Sequence, residues 1–476
     1  MTDTTALSTT TTTTTTTDVV ERLLAALGPD IVTLAQEADG RRFADWSGIP
    51  SGDVLALIRP RSTEELSQAM AICHAAGQPV TVQGGLTGLA GGASALDGEI
   101  AVSLERMKAI EEVDAVSATM TVQAGCVLQS VQEAALAAGY FFPLDLGARG
   151  SCTIGGVLAT NAGGNRVIKY GMTRDLVLGV EAVLADGRVI SGLHKMLKNN
   201  SGYDLKNLLI GSEGTLGIIT RVVLRLRPRP LGVSTAWCGL DDFKAVTTLL
   251  RRAQSELAGG VSAFEVMWPS YYDYVLGNFP ELRRPLAGSH SFYVLLETDG
   301  ADPEAQGEQF EAFLARMFEE EVLEDAAVAM SERAALDFWA VRDAPGEFPR
   351  LIPNMIAFDI SFAVSDLAEA ASRITQGLEA RHPGSLALVY GHLGDGNIHL
   401  IADVPGATAE TVEAVEAFVY GIVSDLGGSV SAEHGIGLKK RKVLSRTRTP
   451  DELATMSAIK QALDPRGILG RGRILG

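Results

Sequence analysis

The sequence predicts an α+β protein with two domains, preceded by a disordered tail at residues 1–17 and a helical segment at residues 18–49. A chain of 476 residues is too long for one ordinary hydrophobic core, which favours two domains. Residues 50–229 combine short strand patterns with glycine-dense loops, whereas residues 230–476 alternate strands with long helices. The change falls at Arg225–Pro230, because proline disfavours both a continuing helix and a central strand.

The composition is that of a globular protein and excludes several functions. Hydrophobic residues make up 46% of the chain, and no apolar run is long enough to cross a bilayer. The 58 acidic and 40 basic residues give a net charge of −18, so neither nucleic acid nor an anionic lipid surface is an expected partner. The run Thr9–Thr17 has nothing to bury and is predicted to be disordered.

The cysteines show no close-paired spacing, which argues against a disulfide framework and against a cysteine-ligated zinc site. They are Cys73, Cys126, Cys152 and Cys238. A reducing cytoplasm is therefore the expected compartment.

The first domain begins with a predicted β-α-β unit. Val54–Ile58 and Pro79–Val82 have strand patterns, Ser62 and Glu65 form a helix-capping box, and Gly77 ends the helix. Further predicted elements are strands at Ile100–Leu104, Ala109–Val113 and Thr119–Gln123 and a helix that ends at Ala138.

The second domain is predicted to be a mainly antiparallel sheet with helices on one face. Its predicted strands are Val233–Cys238, Val261–Met267, Phe292–Glu297, Ile356–Val364, Leu386–Tyr390 and Ile398–Ile401. Helical patterns lie between them, near residues 241–257, 303–319, 365–380 and 408–425.

Glycine-dense loops recur between residues 83 and 217. They are Gln83–Gly92, Pro143–Gly147, Gly150–Gly156, Thr160–Gly164 and Gly211–Gly217. One such loop is ordinarily a turn, but several together can bring backbone amides close to a pyrophosphate, which favours a large dinucleotide cofactor. The first loop is not a Rossmann fingerprint, because Gly88 leads into a second loop rather than a helix.

Three of the seven histidines and one glutamate crowd into two glycine-flanked segments, His392–His399 and Ser431–Gly435. A single histidine near a strand end is more often only hydrogen-bonded. Two imidazoles and a carboxylate nevertheless make a suitable shell for Zn²⁺ or a similar divalent ion, with one position open for water or substrate. A further histidine beside the carboxylate is a candidate base.

These loops and histidine segments together resemble the FAD-dependent D-2-hydroxyglutarate dehydrogenases. Wider relatives are D-lactate dehydrogenases and the flavin subunit of glycolate oxidase, within the vanillyl-alcohol-oxidase flavoprotein class. The resemblance covers roughly residues 50–470, in order and at matching spacing. It rests on Val82–Gly92, Pro143–Gly147, Ser151–Gly156, Thr160–Gly164, Gly202–Leu205, Ser212–Thr220, Tyr390–His399 and Ser429–Gly437.

The resemblance implies a two-lobed FAD-binding domain of the vanillyl-alcohol-oxidase type at residues 50–229 and a C-terminal α+β substrate domain built on an antiparallel sheet at residues 230–476. Members with covalent flavin have a histidine where this chain has Leu86, so noncovalent FAD is expected. The implied FAD contacts are Gln83, Gly84, Gly85, Leu86, Thr87, Gly88, Leu89, Pro143, Leu144, Gly147, Ser151, Gly155, Gly156, Asn161, Gly217 and Ile219.

The resemblance also assigns the site chemistry. His392, His399 and Glu433 match the family's metal ligands, His434 matches its base, and Arg342 matches the arginine that binds the substrate carboxylate. The implied reaction is hydride transfer from a D-2-hydroxy acid to flavin N5, with the metal polarising the hydroxyl. Expected partners are the hydroxy acid, a separate electron acceptor such as an electron-transfer flavoprotein or a quinone, and a second copy of the chain in a homodimer.

Two departures bear on the substrate. Glutarate-oxidising members place a lysine where this chain has Ala357 and an asparagine where it has Ile401. A buried second carboxylate would then lack partners, which favours D-lactate or an apolar D-2-hydroxy acid over D-2-hydroxyglutarate. Arg350 or Asn354 are the candidates to replace the missing groups. Two alternative functions also stay open, a zinc hydrolase and an inactive flavin-binding subunit.

Overall fold

The computed structural model describes residues 13–475, with side chains from residue 18 onward. Helix α1, Thr13–Leu27, begins inside the threonine run. Its apolar residues Val19, Val20 and Leu23 are buried in the first core. The helix extends into residues 13–17, which were predicted to be part of the disordered tail. The remainder of that predicted tail, residues 1–12, lies outside the described residues.

The first lobe is a four-stranded sheet in the order β1-β2-β4-β3. Its elements are β1 Val32–Leu34, β2 Ala56–Ile58, α2 Thr63–Ala76, β3 Val80–Gln83 and β4 Ile100–Ser103. Strands β2 and β3 are both parallel to the intervening β4. The predicted helix ends are confirmed, because the Ser62 side chain accepts a hydrogen bond from Glu65 N and Gly77 has φ +67°. The predicted capping box is only half formed, because the Glu65 carboxylate accepts a hydrogen bond from Arg61 N instead of Ser62 N.

The second lobe is a five-stranded antiparallel sheet in the order β5-β6-β10-β8-β9, beside a short ribbon of β7 and β11. Its elements are β5 Ile110–Asp114, β6 Thr119–Gln123, α3 Leu128–Ala137, β7 Tyr140–Phe141, α4 Ile154–Thr160, α5 Val167–Tyr170, β8 Val177–Val183, β9 Val189–Gly192, α6 Leu205–Leu209, β10 Ile218–Arg225 and β11 Arg227–Pro228. The two lobes form the N-terminal half of the chain.

The C-terminal half is built on a seven-stranded antiparallel sheet in the order β15-β12-β14-β13-β17-β18-β16. Its strands are β12 Gly232–Leu240, β13 Val261–Met267, β14 Phe292–Gly300, β15 Asp325–Val328, β16 Ile356–Ser361, β17 Leu386–His392 and β18 Asn397–Asp403. Its helices are α7 Phe243–Glu256, α8 Pro269–Asn278, α9 Pro303–Glu319, α10 Glu332–Arg342, α11 Phe348–Leu351, α12 Leu367–Arg381, α13 Ala409–Asp425 and α14 Pro450–Leu463. The predicted antiparallel α+β architecture is confirmed.

The prediction that helices cover only one face of this sheet is wrong. Helices α7, α9, α12 and α13 share one core with alternate strand residues such as Cys238. Helices α8, α10 and α11 pack on the opposite face, where Trp237 points. Both faces of β12 are therefore apolar, because successive residues of a strand point to opposite sides.

The end of the chain returns to the first lobe. Val80 N donates to Ile468 O, and Ile468 and Leu469 are buried in the core of that lobe. The buried Arg473 guanidinium bonds both oxygens of the Glu99 carboxylate, which is also buried. The last residues of the predicted substrate domain thus complete the core of the N-terminal half.

Among the described residues, no helix is both long and apolar enough to span a membrane.

Candidate active site

One cavity of about 1050 Å³ lies between the two halves. The N-terminal half contributes the glycine loops, and the C-terminal half contributes the ends of α10, β16, β17 and β18 with the loop that follows α13. All five residues predicted for catalysis, substrate binding and metal binding line it. They are Arg342, His392, His399, Glu433 and His434.

Most of the predicted cofactor residues line the same cavity. They are Gln83, Gly84, Gly85, Leu86, Thr87, Gly88, Leu89, Gly147, Gly155, Gly156, Gly217 and Ile219. The other four, Pro143, Leu144, Ser151 and Asn161, are not among its lining residues. Leu144 is buried in the second-lobe core, and the Asn161 Oδ1 accepts a hydrogen bond from Arg174 N at 2.9 Å. These two side chains therefore serve the fold of the lobe.

The first glycine loop forms a close-packed cradle. A Cβ atom on Gly84 would lie 2.5 Å from Thr153 Oγ1, and one on Gly85 would lie 2.1 Å from Ser151 O, so neither position accepts a side chain without movement. Gln83 is fully buried and donates through Nε2 to two backbone carbonyls. Its Oε1 has no hydrogen-bond partner among the described residues and is free to accept one from a bound cofactor.

Three predicted metal ligands meet at one point. The Nε2 atoms of His392 and His399 are 3.4 Å apart, and Glu433 Oε2 lies 4.0 and 3.9 Å from them. Two ligands held about 2.0–2.1 Å from a tetrahedral zinc ion lie about 3.3 Å apart. The donor set and the spacing of the two histidines fit a divalent ion of this kind. The Glu433 carboxylate lies slightly farther away, and a small movement of its side chain would bring it into contact with the ion.

A buried carboxylate orients the first of these ligands. Glu265 lies directly opposite His392 in the pairing of β13 with β17, and its Oε1 is 2.7 Å from His392 Nδ1. Burial alone would lower the pKa of His392, but the Glu265 charge outweighs it and raises that pKa to about 9. The Nε2 atom is therefore the nitrogen that remains for a metal.

The second histidine ligand is held neutral. Burial, followed by the charge of the neighbouring His392, holds the pKa of His399 well below its usual value. A neutral imidazole is the form that binds a metal ion.

Glu433 is held by the N-terminal half. Its Oε1 accepts a hydrogen bond from Gly164 N at 2.7 Å, and a Cβ atom on Gly163 would lie 2.8 Å from that oxygen. The other oxygen, Oε2, is the one that faces the two histidines. A loop of one half thus positions a predicted metal ligand of the other.

The predicted base His434 lies beside a second buried carboxylate. Asp359 Oδ2 accepts hydrogen bonds from the backbone amides of Glu433 and His434, each at 2.9 Å, and lies 3.7 Å from His434 Nδ1. Burial would raise the pKa of Asp359, but His434 and the nearby Lys440 hold it well below its usual value. Asp359 thus stays charged beside Nδ1 and leaves Nε2 for proton transfer.

Asp359, Glu433 and His434 also lie close enough together to hold an ion. The oxygen Asp359 Oδ2 already accepts two amide hydrogen bonds, and Lys440 Nζ lies 3.6 Å from it. Because that oxygen is occupied and a cation is adjacent, the group fits an oriented base better than a second metal centre.

Arg342 closes the other side of the cavity. Its Nε donates to Glu265 Oε2 at 2.7 Å, and its guanidinium carbon lies 5.2 Å from the centre of the Tyr390 ring. Glu265 therefore orients both Arg342 and His392. With Nε held, the Nη groups of the guanidinium fork are suited to a substrate carboxylate.

The two positions expected to distinguish the substrate's side chain are neighbours. Ala357 and Ile401 are directly opposite each other in the pairing of β16 with β18, and both line the cavity with Met355. Arg350 does not replace the missing cation, because it is exposed and its Nη1 donates to Glu347 at 2.6 Å. Asn354 is exposed as well and is not a lining residue.

Sequence reasoning assigned no role to Glu265, Asp359 or Glu213, whose side chains support the site. A signal exists for the first two, since each is the single charged residue in a mainly apolar strand, Glu265 in β13 and Asp359 in β16. A lone buried charge of this kind needs a specific partner. Glu213 gives no such signal, because it lies in a glycine-rich loop with exposed-type composition.

Two family models together match most of the chain. Residues 54–192 match an FAD binding domain, and residues 229–474 match the C-terminal domain of FAD linked oxidases. By structure, the chain is similar to p-cresol methylhydroxylase with substrate bound, with a TM-score of 0.75 at 14% identity over 98% of each chain. At that identity the likeness establishes the fold alone.

Curated relatives are similar over most of their length. The chain is 37% identical to the mitochondrial D-2-hydroxyglutarate dehydrogenase of Arabidopsis thaliana, over 90% of this chain and 77% of the relative. It is 32% identical to a putative mitochondrial D-lactate dehydrogenase of Schizosaccharomyces pombe, over 89% and 82%. Both names carry the word mitochondrial, so the expected cytoplasmic location has no support from these relatives.

Proposed function

Because the chain belongs to the FAD-linked oxidase family and is an FAD-dependent oxidoreductase acting on CH–OH groups, we propose that it oxidises a D-2-hydroxy acid to the 2-oxo acid at a metal-assisted site. One observation carries the proposal. A single cavity joins the glycine cradle to Arg342, His434 and the three predicted metal ligands. Hydride donor, hydride acceptor and base would therefore share one enclosed space.

FAD and a divalent metal, when bound, supply a hydride acceptor and a Lewis acid that polarises the substrate hydroxyl. FAD is proposed to bind noncovalently, because Leu86 offers no nucleophile at the position where covalent members have histidine. His392, His399 and Glu433 would hold the metal. A separate electron acceptor completes the catalytic cycle.

The chain's own residues orient the substrate and move the proton. The Nη groups of Arg342 bind the C1 carboxylate and so fix the hydroxyl-bearing carbon relative to the metal ligands. His434 takes the hydroxyl proton at Nε2 as the hydride leaves C2. Asp359, 3.7 Å from Nδ1, stabilises the imidazolium that results.

The substrate's side chain is proposed to be small or apolar, as in D-lactate. Ala357, Ile401 and Met355 give the cavity an apolar wall. Asp343 lines the cavity beside Arg342, with its Oδ1 3.8 Å from Arg342 Nη1, and would repel a second substrate carboxylate placed near it. D-2-hydroxyglutarate therefore fits this wall less well than a monocarboxylate does.

The two alternatives lose their support. A zinc hydrolase has no use for an FAD binding domain, and both family models are those of flavoproteins. An inactive subunit has no need of an oriented base, whereas Asp359 holds the backbone of His434.

The test is anaerobic flavin bleaching in purified protein loaded with FAD and Zn²⁺. A D-2-hydroxy acid should bleach the flavin, its L-enantiomer should not, and chelation of the metal should slow bleaching by at least about a hundredfold. Bleaching that is equally fast after chelation would remove the metal from the proposal.

A further inference from the structure

Glu213 binds the loop that carries the metal ligand and the base. This residue lies in the N-terminal half, in the glycine loop between α6 and β10, and lines the cofactor cavity. Its Oε1 accepts a hydrogen bond from Ile436 N at 2.7 Å, and its Oε2 accepts one from Gly437 N at 2.8 Å. Both oxygens of one side chain are thus used on consecutive amides, two and three residues after His434.

The contact is close and leaves little freedom. A Cβ atom on Gly435 would lie 2.8 Å from Glu213 Oε1, so the loop can approach the carboxylate only because that residue is glycine. Glu213 itself has φ +52°, a backbone conformation that residues other than glycine rarely adopt. The backbone is therefore held in an unfavourable conformation that aims this carboxylate at the other half.

Two further contacts tie the same loop to the N-terminal half. Gly164 N donates to Glu433 Oε1 at 2.7 Å. Ala90 O, at the end of the first glycine loop, accepts hydrogen bonds from Leu438 N and Lys439 N, each at 3.0 Å. Three cofactor-cavity loops therefore hold residues 433–439, and of the three contacts only that of Glu213 is made by a side chain of the N-terminal half.

We propose that Glu213 is a positioning residue that couples FAD binding to metal binding. The inference rests on the proposed function, because it takes FAD and a divalent metal as the two ligands. FAD bound among the glycine loops would hold them in the arrangement described, and Glu213 and Gly164 would then hold the loop that carries Glu433. The metal site would therefore form with less loss of conformational freedom. Metal binding fixes the same loop from the other side and favours the FAD-bound arrangement.

Such coupling is reciprocal by thermodynamic necessity. If Zn²⁺ tightens FAD binding by a given factor, FAD tightens Zn²⁺ binding by the same factor. Couplings of this kind typically lie between about fivefold and 150-fold, and we expect at least about tenfold here.

The experiment measures FAD affinity by flavin fluorescence in the full-length FAD-free protein, with saturating Zn²⁺ and with a chelator. In the wild type, the FAD dissociation constant should be at least about tenfold lower with Zn²⁺. In Glu213→Ala this ratio should fall close to one. Glu213→Gln keeps the side-chain shape and one acceptor oxygen, so its ratio should be intermediate, and it serves if the alanine variant does not fold.

Glu181→Gln is the matched control. Glu181 is a buried carboxylate of the same half, and among the described residues its side chain bonds only Thr63, Thr220 and Arg221, which belong to that half. The Glu181→Gln variant should have a lower free energy of unfolding than the wild type, but the same ratio of FAD dissociation constants without and with Zn²⁺. Substitution of a residue that matters only for the fold would weaken FAD binding equally with and without Zn²⁺, so the ratio of the two dissociation constants would not change. Loss of coupling would change that ratio.

Three results overturn the inference. A Zn²⁺ ratio near one in a wild type that still binds Zn²⁺ and is bleached by a D-2-hydroxy acid would sink the coupling and leave the proposed function intact. If the Glu213→Ala variant shows the same Zn²⁺ ratio as the wild type, Glu213 does not take part in the coupling. If direct titration with a metal indicator shows no Zn²⁺ bound to the wild type, the coupling and the metal-assisted function fail together.

Discussion

Glu265 lies directly opposite His392 in the central sheet, with its Oε1 2.7 Å from the imidazole Nδ1. The other oxygen of Glu265 holds Arg342 at 2.7 Å, so one wholly buried carboxylate orients both a proposed metal ligand and the residue proposed to bind the substrate. Support of this kind fixes the ligand's tautomer and ring direction.

Glu265→Gln should weaken metal binding by about 10–100-fold, because the histidine loses its charged partner. It should also raise KM, since Arg342 loses its anchor, and isothermal titration with Zn²⁺ together with steady-state kinetics would measure both effects. Glu297→Gln is the control, because Glu297 is a buried carboxylate on the neighbouring strand β14 that is not among the cavity residues. Equal loss of Zn²⁺ affinity in both variants would argue against a specific role for Glu265.

Metal affinity should rise with pH up to about 9, because Zn²⁺ binds the neutral imidazole and Glu265 raises the pKa of His392 to about 9. The affinity should gain about tenfold per pH unit between pH 6.5 and 9, whereas in Glu265→Gln it should level off at lower pH. A metal indicator read at several pH values would measure this. A flat wild-type profile would contradict the assignment of His392 as a ligand.

The raised pKa of His392 also predicts how the stability of the metal-free protein depends on pH. A histidine whose pKa is raised on folding stabilises the fold fully below its unfolded pKa of 6.5, and this contribution is lost as the pH rises through the folded-state value of about 9. Thermal unfolding of the metal-free protein should therefore occur at lower temperature at pH 9 than at pH 6.5. Glu265→Gln should be less sensitive over that range.

His434→Ala should slow flavin reduction by about 10²–10⁴-fold, because proton removal would lose its base. Zn²⁺ content should stay the same, since His434 is not one of the three ligands. Single-turnover reduction and metal analysis of the same sample would check both. Asp359→Asn should slow the reaction less and alter its pH profile, because it removes only the partner of the base.

Ala357→Lys combined with Ile401→Asn should shift preference towards D-2-hydroxyglutarate by at least about tenfold relative to D-lactate, because a second carboxylate then gains partners. The ratio of kcat/KM values for the two substrates is the measurement. Ala357→Val, which adds only apolar bulk, should not shift it in that direction. No shift in the double variant would mean that the side-chain site lies elsewhere in the cavity.

Strong local patterns made much of the fold predictable. The Ser62 N-cap, the glycine stop at Gly77 and the long helix at Pro303–Glu319 depend on neighbouring residues alone. The placement of helices on both faces of the large sheet depends instead on contacts between distant segments. Arg473 shows the same limit, since nothing near it in sequence indicates that it pairs with Glu99.

The residues of the site also fall into those that the sequence predicts and those that only the folded structure identifies. The family resemblance identified the residues proposed to bind metal and substrate and to act as base, and the structure brings Arg342, His392, His399, Glu433 and His434 to one cavity. The carboxylates behind them were not identified in this way, because Glu265 and Glu213 act on partners 127 and 223 residues away. Only the folded chain brings those pairs together.

Anaerobic single-turnover flavin reduction with a panel of hydroxy acids tests the proposed function most directly. The panel comprises the D- and L-enantiomers of lactate and of 2-hydroxyglutarate, added to protein loaded with FAD and Zn²⁺. D-lactate should reduce the flavin at least about tenfold faster than D-2-hydroxyglutarate, with both L-enantiomers inactive. Much faster reduction by D-2-hydroxyglutarate would contradict the role given to Ala357 and Ile401, and no reduction by either D-acid would contradict the proposed reaction itself.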